Sequence, residues 1–523
     1  MTERLRIALA PLNPHPGAVN ANAARIRAAR AEAAALDADL LVTPEFSLGG
    51  LPIEDLARDR AFQANCACAL AELAAETADG GPGLILGGPW AEDGRLHDTA
   101  FLLEGGKVVA RRARHAPPPD GAFDPGPAPG PVAFRGLRLG LMAGAEWQEP
   151  EVPETLAETG AEILLAIHAS PFRPGAPERR IDAAVARVVE TGLPLVALGQ
   201  TGGQDEWVFD SGGFVLNADR SLAWRQPLFS QALALTEWRR GPDGWACAPQ
   251  PLPAPMDLAE QLWQAMMLGL SDYLEKRRCP GVVVELNGSL GAALTALCAV
   301  DALGAGRVRT VVLPLPGEGA EEAQAFAASL GLDCQAIPIG PALRGFGAML
   351  GEAAALLPPR IRATALMALA GTSGTLPLAS DDRTALALGQ GLSDGIIGGF
   401  SLLKELWASE VRDLALWRQA QRPAGALGPD APALPEAAAR PWSDLPPLAT
   451  LDPPLRGLLE EGLDVETLAT RGFDRATLAR IWRLLDRAEY KRRQAMPGVR
   501  LGRHAFGRDR RYPLTNGFTD LIP

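Results

Sequence analysis

Cysteine and histidine are scarce in this chain of 523 residues, which contains six cysteines and five histidines. The cysteines include no C-x-x-C arrangement, and six of them in so long a chain do not form the pattern of a disulfide framework. Reduced thiols are therefore expected. No two histidines are spaced i, i+4, so the sequence predicts neither a zinc site nor any other metal centre built on histidine.

Long apolar runs and a surplus of positive charge are also missing. No stretch approaches the roughly 18 unbroken apolar residues that a membrane span needs. The formal net charge is −12, whereas nucleic acids and anionic membranes recruit basic surfaces, so neither is expected as a partner. The opening residues MTERLRIALAPLNP contain an early acidic residue and no long apolar segment. No secretion signal is therefore expected, and the cytoplasm is the expected location.

What is present is the composition of a large globular protein, with 47% apolar and 21% charged residues. The length predicts two domains. Strand-like and helix-like patterns alternate in the first half, from RLRIALAPL through NAARIRAARAEAAAL to ADLLVTPEF, which predicts a layered α/β domain. The proline-rich stretch APQPLPAPM breaks every helical pattern. We therefore predict a first domain over residues 1–247, a linker over 248–257 and a second domain over 258–523.

The second half begins with a long helical pattern and continues with GVVVELNGSLGAAL, residues 281–294. This stretch predicts a buried strand, a glycine turn and the start of a helix. Further short apolar strands follow, which predicts a doubly wound parallel sheet. The N–H groups at a helix start can bind an anion such as phosphate. The loop formed by residues 287–292, however, contains no carboxylate to hold a metal ion.

Several segments together resemble the family of glutamine-dependent NAD+ synthetases over nearly the whole chain. They are RIALAPLNPHPGAVNANAARI, TPEFSLGGLPIEDL, GGQDEWVFDSGGFVL, RIRATALMAL, GGFSLLKEL and AEYKRRQAMPGV with FGRDRRYP. The resemblance implies an N-terminal nitrilase-like αββα sandwich that releases ammonia from glutamine. It also implies a C-terminal doubly wound domain, similar to adenine nucleotide alpha hydrolases, that adenylates nicotinic acid adenine dinucleotide and amidates it. Because one fold can host many functions, the function has to be argued from the residues of the two sites.

The family's glutaminase site uses a glutamate, a lysine and a cysteine, and only the first of these is matched. Glu45 corresponds to the glutamate. An ungapped match places Ala113 at the lysine, with Arg112 or Arg114 as possible substitute cations. The same kind of match places Gly144 at the cysteine. Because glycine has no sulfur, it cannot form the thioester, and Glu45 is then either a vestigial catalytic residue or a structural hydrogen-bond acceptor.

The family's synthetase site is altered as well. Gly291 stands where the family's phosphate loop has an acid that holds magnesium, and Ala292 replaces its last hydroxyl. Further on, Arg383 replaces a lysine and Ala385 a glutamate. Asp394 could move into the place of another lost acid. We expect ATP with magnesium, or an NAD-type nucleotide, to bind weakly or not at all, and we expect no metal.

The resemblance leaves a set of candidate nucleotide-binding residues whose role stays open between a weak nucleotide site and an empty turn. Arginines on a helix surface are as often solvated as bound to phosphate. The candidates are Asn287, Gly288, Ser289, Gly291, Ala292, Arg360, Arg362 and Arg383.

Substitutions at two centres predict a catalytically impaired homologue that regulates or co-assembles with an active synthetase, or that senses a nucleotide. One alternative is an active NAD+ synthetase with substituted site residues, using free ammonia. Another is a self-assembling structural protein. The resemblance also implies a homo-oligomer, or a hetero-oligomer with an active synthetase, and the close match of the basic C-terminal segment favours its use as an assembly surface over simple packing on its own domain.

Overall fold

The computed structural model describes residues 3–118, 121–389, 399–434, 446 and 448–518. The chain divides into two compact units, Met1–Met256 and Asp257–Pro523. The last strand of the first unit ends at Cys247, and the first helix of the second unit begins at Leu258. The side chain of Asp257 caps that helix by accepting a hydrogen bond from the backbone N–H of Glu260.

The first unit contains two large sheets and a two-stranded ribbon, with four α-helices among its described residues. The strands are β1 (Arg4–Leu9), β2 (Leu40–Val42), β3 (Gly83–Glu92), β4 (Arg95–Glu104), β5 (Lys107–Ala113), β6 (Val132–Phe134), β7 (Leu137–Ala143), β8 (Ile163–His168), β9 (Leu195–Gly199), β10 (Thr201–Gln204), β11 (Trp207–Asp210), β12 (Phe214–Leu216), β13 (Leu222–Arg225), β14 (Ala234–Gly241) and β15 (Gly244–Cys247). The helices are α1 (Val19–Ala35), α2 (Arg60–Glu76), α3 (Glu151–Glu158) and α4 (Ala176–Thr191).

The two large sheets face each other across one apolar core. Their strand orders are β15-β14-β1-β2-β3-β4-β5 and β13-β12-β9-β8-β7-β6. Buried side chains from both sheets, such as Ile7 and Leu165, form a single cluster. Helices α1 and α2 pack on the outside of the first sheet, and α3 and α4 on the outside of the second. Two sheets between two helical layers form the αββα sandwich that the sequence predicted.

Parallel strands at the centre of each sheet determine where the candidate site lies. Strands β1, β2 and β3 are parallel in the first sheet, and β7, β8 and β9 are parallel in the second. Glu45 follows the carboxyl end of β2, Gly144 follows β7 directly, and Ala169 follows β8 directly. The strand ends therefore bring residues far apart in the sequence to one edge of the sandwich.

The second unit is built on a parallel sheet with helices around it. Its strands are β16 (Val282–Glu285), β17 (Val308–Val312), β18 (Cys334–Ala336), β19 (Leu376–Ala379) and β20 (Phe400–Ser401). Its helices are α5 (Leu258–Arg277), α6 (Leu290–Leu303), α7 (Glu321–Ser329), α8 (Gly340–Leu350), α9 (Pro358–Ser373), α10 (Arg383–Ala387), α11 (Ala408–Ala420), α12 (Leu448–Leu459), α13 (Val465–Thr470), α14 (Arg475–Arg487) and α15 (Glu489–Arg492).

The strand order β18-β17-β16-β19-β20, with every pairing parallel, reverses direction at β16. This is the doubly wound arrangement predicted from the sequence, and ligands in such sheets bind at the carboxyl ends of the strands beside the reversal. Strand β16 and the turn after it occupy that position. No helix among the described residues is long and apolar enough to cross a membrane.

The basic C-terminal segment packs on the second unit itself. Glu489 is buried and accepts hydrogen bonds from Arg492 (2.8 Å) and Arg510 (3.3 Å). Arg500 is also buried and pairs with Asp509. These contacts account for part of the segment's positive charge within one chain, while its expected use in assembly stays a prediction.

Candidate functional sites

The first candidate site is centred on Glu45, which is buried at the edge of the sandwich. Its Oε1 accepts a hydrogen bond from Nη1 of Arg114 at 3.2 Å. Its Oε2 accepts one from the backbone N–H of Ala169 at 2.7 Å. Both carboxylate oxygens are therefore engaged by groups of the protein itself.

A second buried carboxylate, Asp98, shares the same guanidinium. Its Oδ2 lies 3.5 Å from Nη1 of Arg114. Burial raises the pKa of the Glu45 carboxyl well above its ordinary value, the nearby Asp98 raises it further, and Arg114 opposes the shift. Burial also raises the pKa of Asp98. Because one arginine faces two buried carboxyl groups, the cluster favours a state in which one carboxyl keeps a proton.

Gly144 borders this cluster in a backbone conformation that few residues other than glycine adopt, with φ at +66°. A Cβ atom at this position would lie 2.3 Å from Cζ of Arg114 and 2.7 Å from Oε1 of Glu45. Both distances are far below van der Waals contact. The Arg114 guanidinium thus occupies the space that a side chain at residue 144 would need.

The cation beside Glu45 is Arg114, one of the two substitute cations that the sequence suggested. Ala113 is the last residue of β5 and pairs with Thr99 of β4. Neighbouring residues on an extended strand point to opposite faces, so Ala113 and Arg114 cannot both face Glu45. Arg112, the other possible cation, is buried against Glu146 at 3.1 Å.

This arrangement can hold protons and charge, but no nucleophile is among the described residues that bond to the Glu45 side chain or border it. Those groups are Arg114, Asp98, Gly144 and the backbone of Ala169, and none carries a thiol or a free hydroxyl. Among the other candidate nucleophiles, Cys66 and Cys68 lie on α2, and burial raises the pKa of the Cys66 thiol to about 12. The backbone N–H of Ser170 donates to Nδ1 of His168 at 3.3 Å.

The second candidate site is a cavity of about 320 Å³ at the carboxyl ends of β16 and β17. Its lining includes backbone and side chains from the turn after β16 and from the segment before α7. The lining residues are Glu285, Leu286, Asn287, Gly288, Val312, Leu313, Pro314, Glu318, Gly319, Glu321, Glu322, Ala323 and Arg362. The volume falls in the range of small-molecule sites.

The turn at the start of α6 uses its own side chains to satisfy its backbone. Ser289 caps α6, and its Oγ accepts a hydrogen bond from the N–H of Ala292 at 3.1 Å. Oδ1 of Asn287 accepts one from the N–H of Ser289, also at 3.1 Å. Gly288 between them has φ at +79°. Two N–H groups that could face a phosphate are therefore already bonded within the turn.

The turn also contains no carboxylate, where the resemblance to the family implies an acid that holds magnesium. A Cβ at Gly291 would lie 2.6 Å from the backbone oxygen of Ser380, so an aspartate there requires the backbone to shift. The described residues include no group of three or more His, Cys, Asp or Glu side chains that could hold a metal ion. The residues at this turn do not fit the magnesium that the family implies.

The candidate arginines differ in their surroundings. Arg362 lines the cavity, bonds to Glu318 at 3.0 Å and lies 3.5 Å from Glu285. Arg383 is 1% exposed, bonds to Glu405 at 3.0 Å and lies outside the cavity lining. Arg360 is exposed. Of the remaining positions, Ala385 donates its N–H to the capping Asp382, and Asp394 lies outside the described residues.

Glu285 is a feature of this site that sequence reasoning missed. It is buried, and neither of its carboxylate oxygens has a hydrogen-bond partner among the described residues. Burial raises its pKa to about 7, with Arg362 opposing the shift and Asp381 adding to it. A lone acid at the end of the apolar run VVVE was the available signal. Asp98, inside strand β4, is a similar case at the first site.

Comparison with known proteins gives matches over both units. Residues 6–220 match the carbon-nitrogen hydrolase family, and residues 262–495 match the NAD synthase family. The chain is 37% identical to a glutamine-dependent NAD(+) synthetase of Rhodobacter capsulatus, over 99% of this chain and 100% of the relative. It is 30% identical to the enzyme of the same name from Acinetobacter baylyi, over 98% of both chains.

A solved structure is similar over almost the whole length as well. It is the glutamine-dependent NAD+ synthetase of Acinetobacter baumannii in complex with adenosine diphosphate, with 28% identity, a TM-score of 0.77 and 99% of each chain covered. The enzyme of the same name from Cytophaga hutchinsonii has a TM-score of 0.82 at 18% identity, which is a likeness of fold alone.

Proposed function

The chain belongs to the family of glutamine-dependent NAD+ synthetases, and from this premise we propose that it amidates nicotinic acid adenine dinucleotide with ammonia rather than with glutamine. ATP adenylates the carboxylate with release of pyrophosphate, and ammonia then displaces AMP to form the amide. Ammonia comes from solution or from another protein, and the reaction takes place in the C-terminal unit. The cytoplasm is the proposed location, since it holds the dinucleotide and ATP.

The position of Arg114 beside Glu45 and Gly144 is the observation that argues against glutamine as the nitrogen donor. The guanidinium of Arg114 is bonded to Glu45 and stands where a side chain on residue 144 would be. Covalent amide hydrolysis requires a nucleophile beside the general base. Residue 144 supplies only hydrogen, and the space for a sulfur is filled. The N-terminal unit therefore serves as a scaffold in this proposal.

Two observations favour retained chemistry in the C-terminal unit. The cavity beside β16 lies where doubly wound sheets bind their ligands. The full-length relatives carry the name of NAD+ synthetases, and the similar Acinetobacter baumannii enzyme was solved with adenosine diphosphate. An adenine nucleotide is accordingly the proposed ligand of this unit.

A second candidate function is a non-catalytic partner of an active synthetase, or a nucleotide sensor. The turn at residues 287–292 favours it, because Gly291 provides no metal ligand and Asn287 and Ser289 occupy two of the N–H groups. The burial of Arg383 against Glu405 also removes one cation from reach of a phosphate. In this role the protein would act through assembly, as a homo-oligomer or with an active relative.

The experiment measures NAD+ formation from nicotinic acid adenine dinucleotide and ATP with either glutamine or ammonium as the nitrogen source. Turnover with ammonium alone is the expected result. Turnover with glutamine at an equal rate would contradict the proposal. If neither nitrogen source supports turnover while calorimetry detects nucleotide binding, the second candidate replaces the first. Glu45→Gln is the matched control, and it should leave ammonium-dependent turnover unchanged.

A further inference from the structure

The cavity at the carboxyl ends of β16 and β17 contains a buried acid that the proposed function leaves unused. Glu285 is the last residue of β16, is 3% exposed and lines the cavity. Neither of its carboxylate oxygens has a hydrogen-bond partner among the described residues. Because an unbonded carboxylate is costly to bury, the arrangement indicates that a ligand in the cavity supplies the missing donors.

The single cation that lines this cavity is already engaged by the protein. Nε of Arg362 donates to the backbone oxygen of Leu313 at 3.1 Å, and its Nη2 donates to Glu318 at 3.0 Å. The same Nε lies 3.5 Å from Oε1 of Glu285, which is too far and too poorly aligned for a hydrogen bond. Arg362 therefore moderates the charge of Glu285 without satisfying its oxygens.

Negative charge is in surplus around the cavity. Against the one arginine, the lining contains four acids, Glu285, Glu318, Glu321 and Glu322. Asp381, which follows β19, also repels a negative charge on Glu285. A ligand that carries its own negative charge, such as a phosphate group, is therefore disfavoured in contact with Glu285.

The same acids do not favour a metal ion. The described residues include no group of three or more His, Cys, Asp or Glu side chains placed to hold one. A ligand that suits Glu285 has N–H donors and a positive charge, because hydrogen bonds between charged partners are the strong ones. A nitrogen cation meets both requirements.

Ammonia is present in neutral water almost wholly as ammonium, which is such a cation. Its nitrogen has no lone pair, so it must lose a proton before it can attack a carbonyl carbon. Burial raises the pKa of Glu285 to about 7, Arg362 opposes the shift, and Asp381 and Glu318 add to it. A carboxylate with a raised pKa is a stronger base than an ordinary one and is better suited to take that proton.

We propose that the carboxylate of Glu285 binds ammonium in this cavity and takes one of its protons, so that ammonia forms beside the acyl adenylate. The inference rests on the proposed function. The cavity of about 320 Å³ is larger than ammonium alone requires, and the remaining volume admits the acyl end of the second substrate.

The proton and electron pairs balance in this step. One N–H bond of ammonium breaks, one O–H bond forms on Glu285, and the electrons of the broken bond become the lone pair of ammonia. That pair forms the new C–N bond, and AMP leaves with the electrons of the C–O bond. The attached nitrogen then loses a second proton to water, and Glu285 returns its proton to water before the next turnover.

Steady-state kinetics of Glu285→Gln test the assignment. Glutamine keeps the size of the side chain but has no negative charge and cannot take the proton. The KM for ammonium should rise at least about tenfold and kcat should fall, while the KM values for ATP and the dinucleotide stay unchanged. Glu352→Gln is the matched control, because Glu352 is exposed on the same unit and lies outside the cavity lining. It should change the KM for ammonium by less than about twofold.

The pH profile separates a proton acceptor from a residue that only shapes the cavity. In the unchanged protein, kcat/KM for total ammonium should rise from pH 6 and level off above about pH 8, as Glu285 becomes ionised. In Glu285→Gln it should rise about tenfold per pH unit from pH 7 to pH 9, because free ammonia from solution is then the only nucleophile. Profiles of the same shape in both proteins would overturn the proposal.

A binding measurement distinguishes failure of this inference from failure of the proposed function. Urea unfolding at pH 8 is compared in ammonium chloride and in tetramethylammonium chloride, whose cation has no N–H donor. Ammonium should raise the urea midpoint of the unchanged protein and leave that of Glu285→Gln unchanged. Turnover with an unaltered KM for ammonium in Glu285→Gln would overturn the inference and leave the proposed function standing. Without turnover, ammonium-specific stabilisation that Glu285→Gln abolishes would overturn the proposed function and leave the ammonium site, and its absence would overturn both.

Discussion

Nη1 of Arg114 lies 3.2 Å from Oε1 of Glu45, and the same guanidinium stands 2.3 Å from the place of a Cβ on residue 144. The absence of a side chain at Gly144 and the presence of arginine at 114 are therefore two parts of one arrangement. The buried carboxylate keeps a cation, and the volume beside it stays filled. The site is closed by an ion pair instead of being left with a cavity.

A cysteine at residue 144 should be tolerated without a large loss of stability only if Arg114 is also replaced by a residue without a guanidinium. Gly144→Cys alone should destabilise the protein by about 3 kcal/mol, because the side chain overlaps the guanidinium and must adopt a positive φ. The double variant Arg114→Lys with Gly144→Cys should recover much of that loss, since lysine has no guanidinium at Cζ. Urea unfolding measures both stabilities.

Labelling with a thiol reagent provides the chemical readout for these variants. In the double variant the new cysteine should react faster than Cys66, whose thiol is held in its neutral form by burial. If the single variant is as stable as the unchanged protein, then Arg114 does not occupy the space as described.

Removing the cation should destabilise the first unit in a way that depends on pH. Arg114→Met leaves Glu45 and Asp98 buried without a positive charge, which should cost about 3–5 kcal/mol at pH 7. Without the arginine the pKa values of both carboxyls rise further above their ordinary values, so the cost should shrink as the pH falls and both groups become neutral. Urea unfolding at pH 7 and pH 5 measures the difference, and an equal cost at both values would contradict it.

His168 should make the protein less stable in mild acid. It is fully buried, its Nε2 has no hydrogen-bond partner among the described residues, and burial lowers its pKa from 6.5 to about 3. A histidine with a lowered pKa gains a proton on unfolding, so its stability contribution is lost as the pH falls below 6.5. Between pH 7 and pH 5 the loss should be about 2 kcal/mol.

The comparison for this prediction is His168→Gln, which cannot take up a proton. The variant's stability should fall less between pH 7 and pH 5 than that of the unchanged protein, by the amount given. Parallel pH profiles for the two proteins would contradict the assignment of the loss to His168.

Glu285 should make the protein less stable at high pH, whereas His168 should make it less stable at low pH. Its pKa is raised from 4.5 to about 7, so the folded protein loses stability as the pH rises from 4.5 through 7 and the buried group becomes charged. Glu285→Gln should therefore increase stability by about 3 kcal/mol at pH 8 and have little effect at pH 5. The exposed Glu322→Gln in the same cavity lining is the control, and it should change stability by less than about 0.5 kcal/mol at either pH.

Much of the fold could be predicted from the sequence because periodicity and turn residues act locally. The run VVVE became strand β16, and Ser289 caps α6 as the glycine turn indicated. The proline-rich stretch falls between β15 and α5. The resemblance to the synthetase family, which the full-length relatives confirm, supplied the arrangement of layers that periodicity alone does not give.

The residues of the two candidate sites were harder to predict from the sequence than the fold was. The sequence offered both Arg112 and Arg114 as the cation beside Glu45, and only the structure shows that Arg114 bonds to Glu45 while Arg112 pairs with Glu146. Glu285 and Asp98 were not singled out, since a sequence does not state which carboxylates lose their water.

By itself the sequence determined that this chain has no sulfur at residue 144 and no carboxylate at residue 291, because these are facts of covalent structure. It also determined the strands, the helices and the family. Only the tertiary structure decided that Arg114 fills the place beside Glu45, that Arg383 is held by Glu405 away from the cavity, and that the carboxylate of Glu285 is buried beside the cavity. Charge pairing and burial depend on distances between residues far apart in the chain, and those distances arise only when the sheets assemble.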